Sequence, residues 1–206
     1  MVKIYVEGGG DAALLRTECR QGFSRFFEAA GFKGKMPRIV ACGSRNDAFK
    51  SFCTAINQGE FAFLLVDSED AIDETCQQGN PEQWTPWEHL GKRDNWVKPN
   101  SATDLDCHLM VQCMEAWFLA DRKTLQDFFG QGFNAKALPS SENTIESVAK
   151  KQIYDSLSDA TKNCKTKAKY GKGEHSFKLL ARIVPDRVTA ASPWAKRFID
   201  ILKEKL

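Results

Sequence analysis

Glu7 and Asp11 flank three glycines in Glu7-Gly8-Gly9-Gly10-Asp11, and three more acids crowd into Asp67-Ser68-Glu69-Asp70. Carboxylates at this density repel one another, so a cation is their natural partner. Oxygen donors suit Mg²⁺, or Mn²⁺ in its place, and Mg²⁺ keeps several of its waters when bound. Paired ions can hold both the attacking and the leaving oxygen of a phosphodiester. The charge is also unevenly laid out. Residues 60 to 74 hold six acids and no Lys or Arg, whereas residues 162 to 182 hold seven basic residues against Glu174. An acidic centre with a basic segment is what a metal-dependent enzyme acting on a polyanion needs. The plainer reading has Asp11 and Asp70 capping helices and the other charges solvated.

Other residues extend the candidate site. Glu115 sits among Met114, Ala116, Trp117 and Phe118, so it either projects into solvent or is held for a purpose. Lys172, beside the metals, would neutralise charge growing on a phosphate. His175 would hydrogen-bond that phosphate or assist proton transfer. Lys167 and Lys169 would hold the nucleic-acid backbone; the plainer reading of this whole stretch is a solvated loop. Arg45, at a turn, could clamp a phosphate bidentately or pair with an acid such as Asp11 or Asp67. Cys107, His108 and Cys113 give a thin zinc signal without a fourth ligand, and buried core cysteines are the better reading. The three glycines are not a P-loop, because no Lys-Ser/Thr follows them.

These side chains need a scaffold. Lys3 to Val6 reads as a strand. Leu15, Cys19, Phe23, Phe26 and Ala30 then recur at helical spacing. Arg38 to Ala41 is a second strand, Asp47 to Asn57 a second helix, and Phe61 to Val66 a continuous apolar third strand. Strand, helix, strand, helix, strand implies an α/β fold with a parallel sheet. Both acidic clusters then lie past the carboxyl ends of strands, where open α/β sheets bind ligands. Alternation along a strand would put Asp67 and Glu69 on one side.

Residues 76 to 105 are broken by Pro and Gly and read as a long loop. Its Trp84, Trp87 and Trp96 would either stack on bases or pin the loop to the sheet, and the second is preferred. Beyond it come a short strand over Leu109–Gln112 and helices over Met114–Ala120 and on to Gly130. Further helices are expected over Thr144–Leu157, around Phe177–Ile183, and over Ser192–Leu206 with Pro193 in the first turn. The expected organisation is a single domain of 1–206. It has an α/β core to residue 130 and a mostly helical, basic C-terminal extension over 131–206.

Composition sets the outer bounds. The chain has 206 residues, 27% charged and 42% hydrophobic, which excludes a disordered chain. No apolar run approaches the roughly 20 residues of a membrane helix. The first residues run straight into a strand pattern with no signal-peptide features, so a cytoplasmic protein without membrane contact is expected. Seven cysteines with no CxxC pair argue against a disulfide framework.

A strand ending in Glu-Gly-x-x-Asp, a helix, and a later apolar strand ending in Asp-x-Asp/Glu resembles the Toprim domain. More closely, the chain resembles an uncharacterised bacterial Toprim-like family related to the overcoming-lysogenization-defect nucleases. The matching pieces are Val6-Glu7-Gly8 with Asp11, Cys42-Gly43-Ser44-Arg45, Val66-Asp67-Ser68-Glu69, Met114-Glu115-Ala116-Trp117 to Asp121, Tyr170-x-Lys172-x-x-His175, and Ser192-Pro193. The resemblance implies a Toprim-like (Rossmann-like) parallel sheet flanked by helices. It also implies a Mg²⁺- or Mn²⁺-dependent nuclease acting on DNA or RNA, an ABC/SMC-type ATPase partner, and a role in antiviral defence. By that resemblance Glu7 binds metal or shuttles a proton, and Asp67 is the first acid of the metal-binding pair. Glu69 stands where the family has Asp, one methylene longer, with Asp70 as a substitute. Asp11 and Glu115 match the further acids of Toprim nucleases. The rival reading is a degenerate binding or regulatory subunit of an ATPase complex. One copy or a homo-oligomer is left open.

Overall fold

The computed structural model describes residues 1–10, 12–140 and 144–206. Four parallel strands form one sheet in the order β2-β1-β3-β4: β1 Lys3–Gly9, β2 Arg38–Gly43, β3 Ala62–Asp67 and β4 Cys107–Met110. The expected α/β fold with a parallel sheet between helices is present and is Rossmann-like. Helix α1 (Ala13–Phe27) carries the chain from β1 out to β2, and α2 (Arg45–Asn57) returns it to β3 on the other side of β1. The strand order therefore reverses direction between β1 and β3, the point at which such sheets bind ligands.

Alternation along the strands splits the core in two. Ile4, Val6, Phe63, Leu65 and Met110 face a large cluster with Phe23, Phe26 and Phe27 of α1. Tyr5, Leu64, Val66, Cys107 and Leu109 face a smaller one with Ala48, Phe52 and Ala55 of α2. Every residue of β3 is buried, as a strand covered on both faces requires. Phe61, read as the start of that strand, lies outside it and is exposed.

The remaining helices are α3 (Pro86–Asp94), α4 (Ala116–Ala120), α5 (Arg122–Phe129), α6 (Lys150–Thr161), α7 (Lys172–Leu180), α8 (Pro185–Ala191) and α9 (Pro193–Lys205). Side chains from α4 to α9 enter the larger cluster, so the C-terminal helices cover one face of the sheet. Residues 76 to 105 are more ordered than expected. They hold α3, with Pro86 at its first turn and Asn95 closing it in the left-handed region, and their tryptophans are buried. Trp96 stacks on Phe49 at 4.4 Å and Trp87 Nε1 donates to Thr103 O at 2.9 Å. Trp87 and Trp96 pin this segment to α2, Trp84 packs on Trp194 of α9, and buried in this way they are not available to bases. β4 begins two residues earlier than expected, and the helix expected from Thr144 begins at Lys150. All seven cysteines are free, and Cys107 and Cys113 are buried. Among the described residues no helix is long and apolar enough to cross a membrane.

Two fixings matter for the site. Arg197 of α9 is buried and donates to the carbonyls of Pro81, Asp104 and Cys107, at 2.6, 2.7 and 3.1 Å, which ties the last helix to the edge of β4. Gly22 of α1 lets α7 approach closely: a Cβ there would stand 2.8 Å from the Phe177 carbonyl oxygen. Gly22→Ala is therefore expected to destabilise the fold by about 1–3 kcal/mol, despite alanine's better helix propensity. Urea denaturation reads this; a gain in stability would show that the two helices part freely.

Candidate active site

Glu7 and Asp67 are in phase with opposite faces of the sheet, Glu7 with Tyr5 and Asp67 with Leu65. They meet because each stands at the rim of its strand. The Asp67 amide donates to Glu7 Oε2 at 3.1 Å. Glu69 joins them differently from expectation. It lies past the end of β3 with φ of 70°, so strand alternation does not place it. Its amide instead donates to the Gln112 carbonyl at 2.8 Å, which holds the turn. One carboxylate oxygen from each of Glu7, Asp67 and Glu69 lies within 4.8 Å of the other two. This is the one such cluster among the described residues.

Burial makes the cluster uncomfortable when fully ionised. Asp67 is almost completely buried; that burial, with the nearby Glu115, pushes its carboxyl up to about 6. Glu7 is held well above the usual carboxylate range by burial and by the Asp67 charge. Among the described residues four cations offset the acids, one of them Arg93, whose Nη2 lies 3.8 Å from Glu69 Oε2. Arg45 Nε lies 3.2 Å from Glu7 Oε2. Lys150 Nζ bridges Glu69 Oε1 at 2.7 Å and Asp67 Oδ2 at 3.3 Å. Burial disfavours the charge on Lys150 and on Lys172, but the surrounding acids outweigh it and both pKa values are raised. Lys150 had no signal in the sequence: it opens α6, and nothing in its spacing relates it to β3.

A cavity of about 360 Å³ opens on this rim. Glu7, Asp67, Glu115 and Lys172 line it together with the glycine turn. Glu115 stands apart from the carboxylate triple. It is buried at the start of α4, and its oxygens accept from Tyr154 and Ser176 hydroxyls at 2.9 Å and from Tyr170 at 3.3 Å. Burial and the Glu115 charge push both tyrosine hydroxyls far up, which keeps them as donors. Tyr154→Phe and Tyr170→Phe are each expected to cost about 1–3 kcal/mol by denaturation, since each strips a donor from a buried carboxyl. Unchanged stability in both would mean that Ser176 alone suffices.

Other expected residues lie elsewhere. Arg45 does not offer an open fork: its two Nη atoms are taken by Asp94 at 2.8 and 3.1 Å, and it lies over the Trp96 ring. A bidentate phosphate clamp there would first have to displace Asp94. His175 is buried among Phe128, Phe129 and Tyr170, away from the cavity lining. Its Nδ1 accepts from the Gly171 amide at 3.0 Å, and burial lowers its pKa. The structure thus places His175 in the aromatic core at the first turn of α7 and does not bring it to the acids of the cavity. Lys167 is exposed above the Phe128 ring, and Lys169 is exposed beside it in sequence; neither lines the cavity. Asp70 pairs with Arg93 at 3.0 Å and is not in the triple. Asp11 lies outside the described residues. Asp121, part of the sequence resemblance, is a structural hub: it caps α5 and accepts from the Val184 amide.

The donor set fits a hard divalent ion in type, since all three ligand atoms are carboxylate oxygens. Their mutual distances stay within 4.8 Å, and Lys150 already contacts two of the three residues. An ion is accommodated if the Lys150 ammonium moves off and the carboxylates close in. The family profile described as Domain of unknown function (DUF4276) matches residues 6–203. No curated protein and no solved structure matches the chain.

Proposed function

Since the chain belongs to the DUF4276 family, whose description assigns no activity, we propose from the site itself a Mg²⁺- or Mn²⁺-dependent nuclease that hydrolyses phosphodiester bonds in DNA or RNA. The observation that carries this reading is the approach of Glu7, Asp67 and Glu69 to within 4.8 Å of one another at the strand-order reversal, with Lys172 beside Glu7 and Asp67 on the cavity. A divalent ion, when bound, supplies Lewis-acid polarisation of the phosphoryl group and a more acidic water. Asp67, Glu69 and Glu7 would hold it. Glu7, whose carboxyl burial and the Asp67 charge hold well above the usual range, would either complete the ion's ligand set or take and return a proton. Lys172 neutralises charge that grows on the phosphate oxygens. Protons compete with the ion for Asp67, whose carboxyl is pushed up to about 6 in the metal-free protein, so metal binding weakens as pH falls through that value.

The test is cleavage of plasmid, single-stranded DNA and tRNA with Mg²⁺ or Mn²⁺. Cleavage is expected with either ion, not with EDTA, and not by Glu7→Gln. Equal rates for wild type and Glu7→Gln would defeat the reading.

A second reading draws on Lys150. An ammonium on Asp67 and Glu69 supplies the charge an ion would otherwise bring, as a binding subunit without chemistry would have it. Such a subunit would dock on an ABC/SMC-type ATPase in antiviral defence, as the Toprim-like resemblance implies. Calorimetry showing no Mg²⁺ or Mn²⁺ binding, with capture of an ATPase from the native host, would favour it.

A further inference from the structure

The cavity itself narrows the class of substrate, on the premise that this rim binds nucleic acid. Its floor carries charge, but Leu15, Met110, Met114 and Phe177 give it apolar walls. At about 360 Å³ it lies near the lower end of small-molecule sites. α7 bounds it: Lys172, Gly173, Ser176 and Phe177 fall on one face of that helix and line the cavity. This wall is fixed, not draped. A Cβ on Gly8 would stand 2.8 Å from the Phe177 ring, and Gly22 is packed against the Phe177 backbone. A cavity of this size with a wall on one side suits one unpaired nucleotide better than a rod of paired bases.

We propose that the site takes nucleic acid as an unpaired strand, one nucleotide at a time, with the base against the Phe177–Met114 wall and its phosphate toward Lys172 and the acids. Aromatic walls hold unpaired bases by stacking and tolerate any sequence.

Gly173 supplies the decisive variant. A Cβ there meets nothing within 4 Å, so a side chain fits and points into open space. Gly173→Leu also improves helix propensity, so folding is preserved. The measurement is fluorescence anisotropy of a labelled 12-nucleotide single strand and of the same sequence closed into a blunt duplex. Both are titrated at one fixed salt concentration, in EDTA and again in Ca²⁺. The single strand is expected to bind at least 10-fold tighter than the duplex. Gly173→Leu should erase that preference without lowering Tm, and Phe177→Ala should weaken single-strand binding by about 5- to 100-fold. Duplex affinity equal to or above that of the single strand overturns the proposal. So does unchanged single-strand affinity in Gly173→Leu, or the absence of saturable single-strand binding. Hydrolysis is read separately by the cleavage assay: no cleavage with the strand preference intact removes the nuclease and leaves the cavity assignment standing.

Discussion

Asp67→Asn is expected to lower metal-dependent cleavage by about 10³-fold and at the same time to raise the stability of the metal-free protein at pH 8. The two effects share one cause. Asp67 is buried beside Glu7 and Glu115, and its carboxyl is pushed from 3.8 up to about 6. A raised folded-state pKa contributes stability that is fully present below the unfolded value and is lost as pH rises through the folded one. Above pH 7 the ionised carboxylate is therefore a burden that asparagine relieves, by on the order of 2 kcal/mol. The gain should shrink as pH falls toward 4, where wild-type Asp67 is protonated too. Thermal melts at pH 8, 6 and 4 read the gain, and cleavage assays read the loss. A fall in stability at pH 8 would identify Asp67 as a structural acid held by Lys150 and the Met114 amide, which contacts it at 2.8 Å.

Lys150→Ala is expected to tighten Mn²⁺ binding by about 10- to 100-fold, because the ammonium and the ion seek the same oxygens. Lys150 touches both Asp67 and Glu69, so its removal takes an ammonium from two of the three candidate ligands. The metal-free variant should melt below wild type, and Mn²⁺ should restore it by a larger Tm increment than wild type shows. Calorimetric titration with Mn²⁺ checks this. Unchanged or weaker affinity would place the ion away from the Lys150 contact and would take Glu69 out of the ligand set.

The sequence displayed the sheet more clearly than the site. β1, α1, β2, α2 and β3 are legible because their apolar residues recur at two plain periods, and the glycine and acidic turns fall between them. The rim placement of Glu7 and Asp67 follows from that order alone. Three things were hidden. Residues 76 to 105 looked irregular because Pro86 reads as a breaker, though at a first helical turn it starts α3. Glu69 was assigned by alternation, which stops where the backbone turns left-handed. Lys150, Tyr154 and Ser176 meet the acids only through tertiary packing across 39 to 83 residues, which no local spacing encodes. His175 misled for the opposite reason: its motif neighbours Lys172 in sequence, but one turn of α7 carries the imidazole into the aromatic core.

The distribution of the site along the chain has a consequence for biosynthesis. Glu7, Asp67 and Glu69 leave the ribosome in the first half of the polypeptide, whereas Lys150 and Lys172 emerge in the last third. Chains fold from the N-terminus as they are made. A nascent chain halted before residue 150 thus carries its acids with neither lysine and without the α7 wall. The cavity therefore lacks its Lys172 and α7 side on the translating ribosome and is completed only when the last helices have docked.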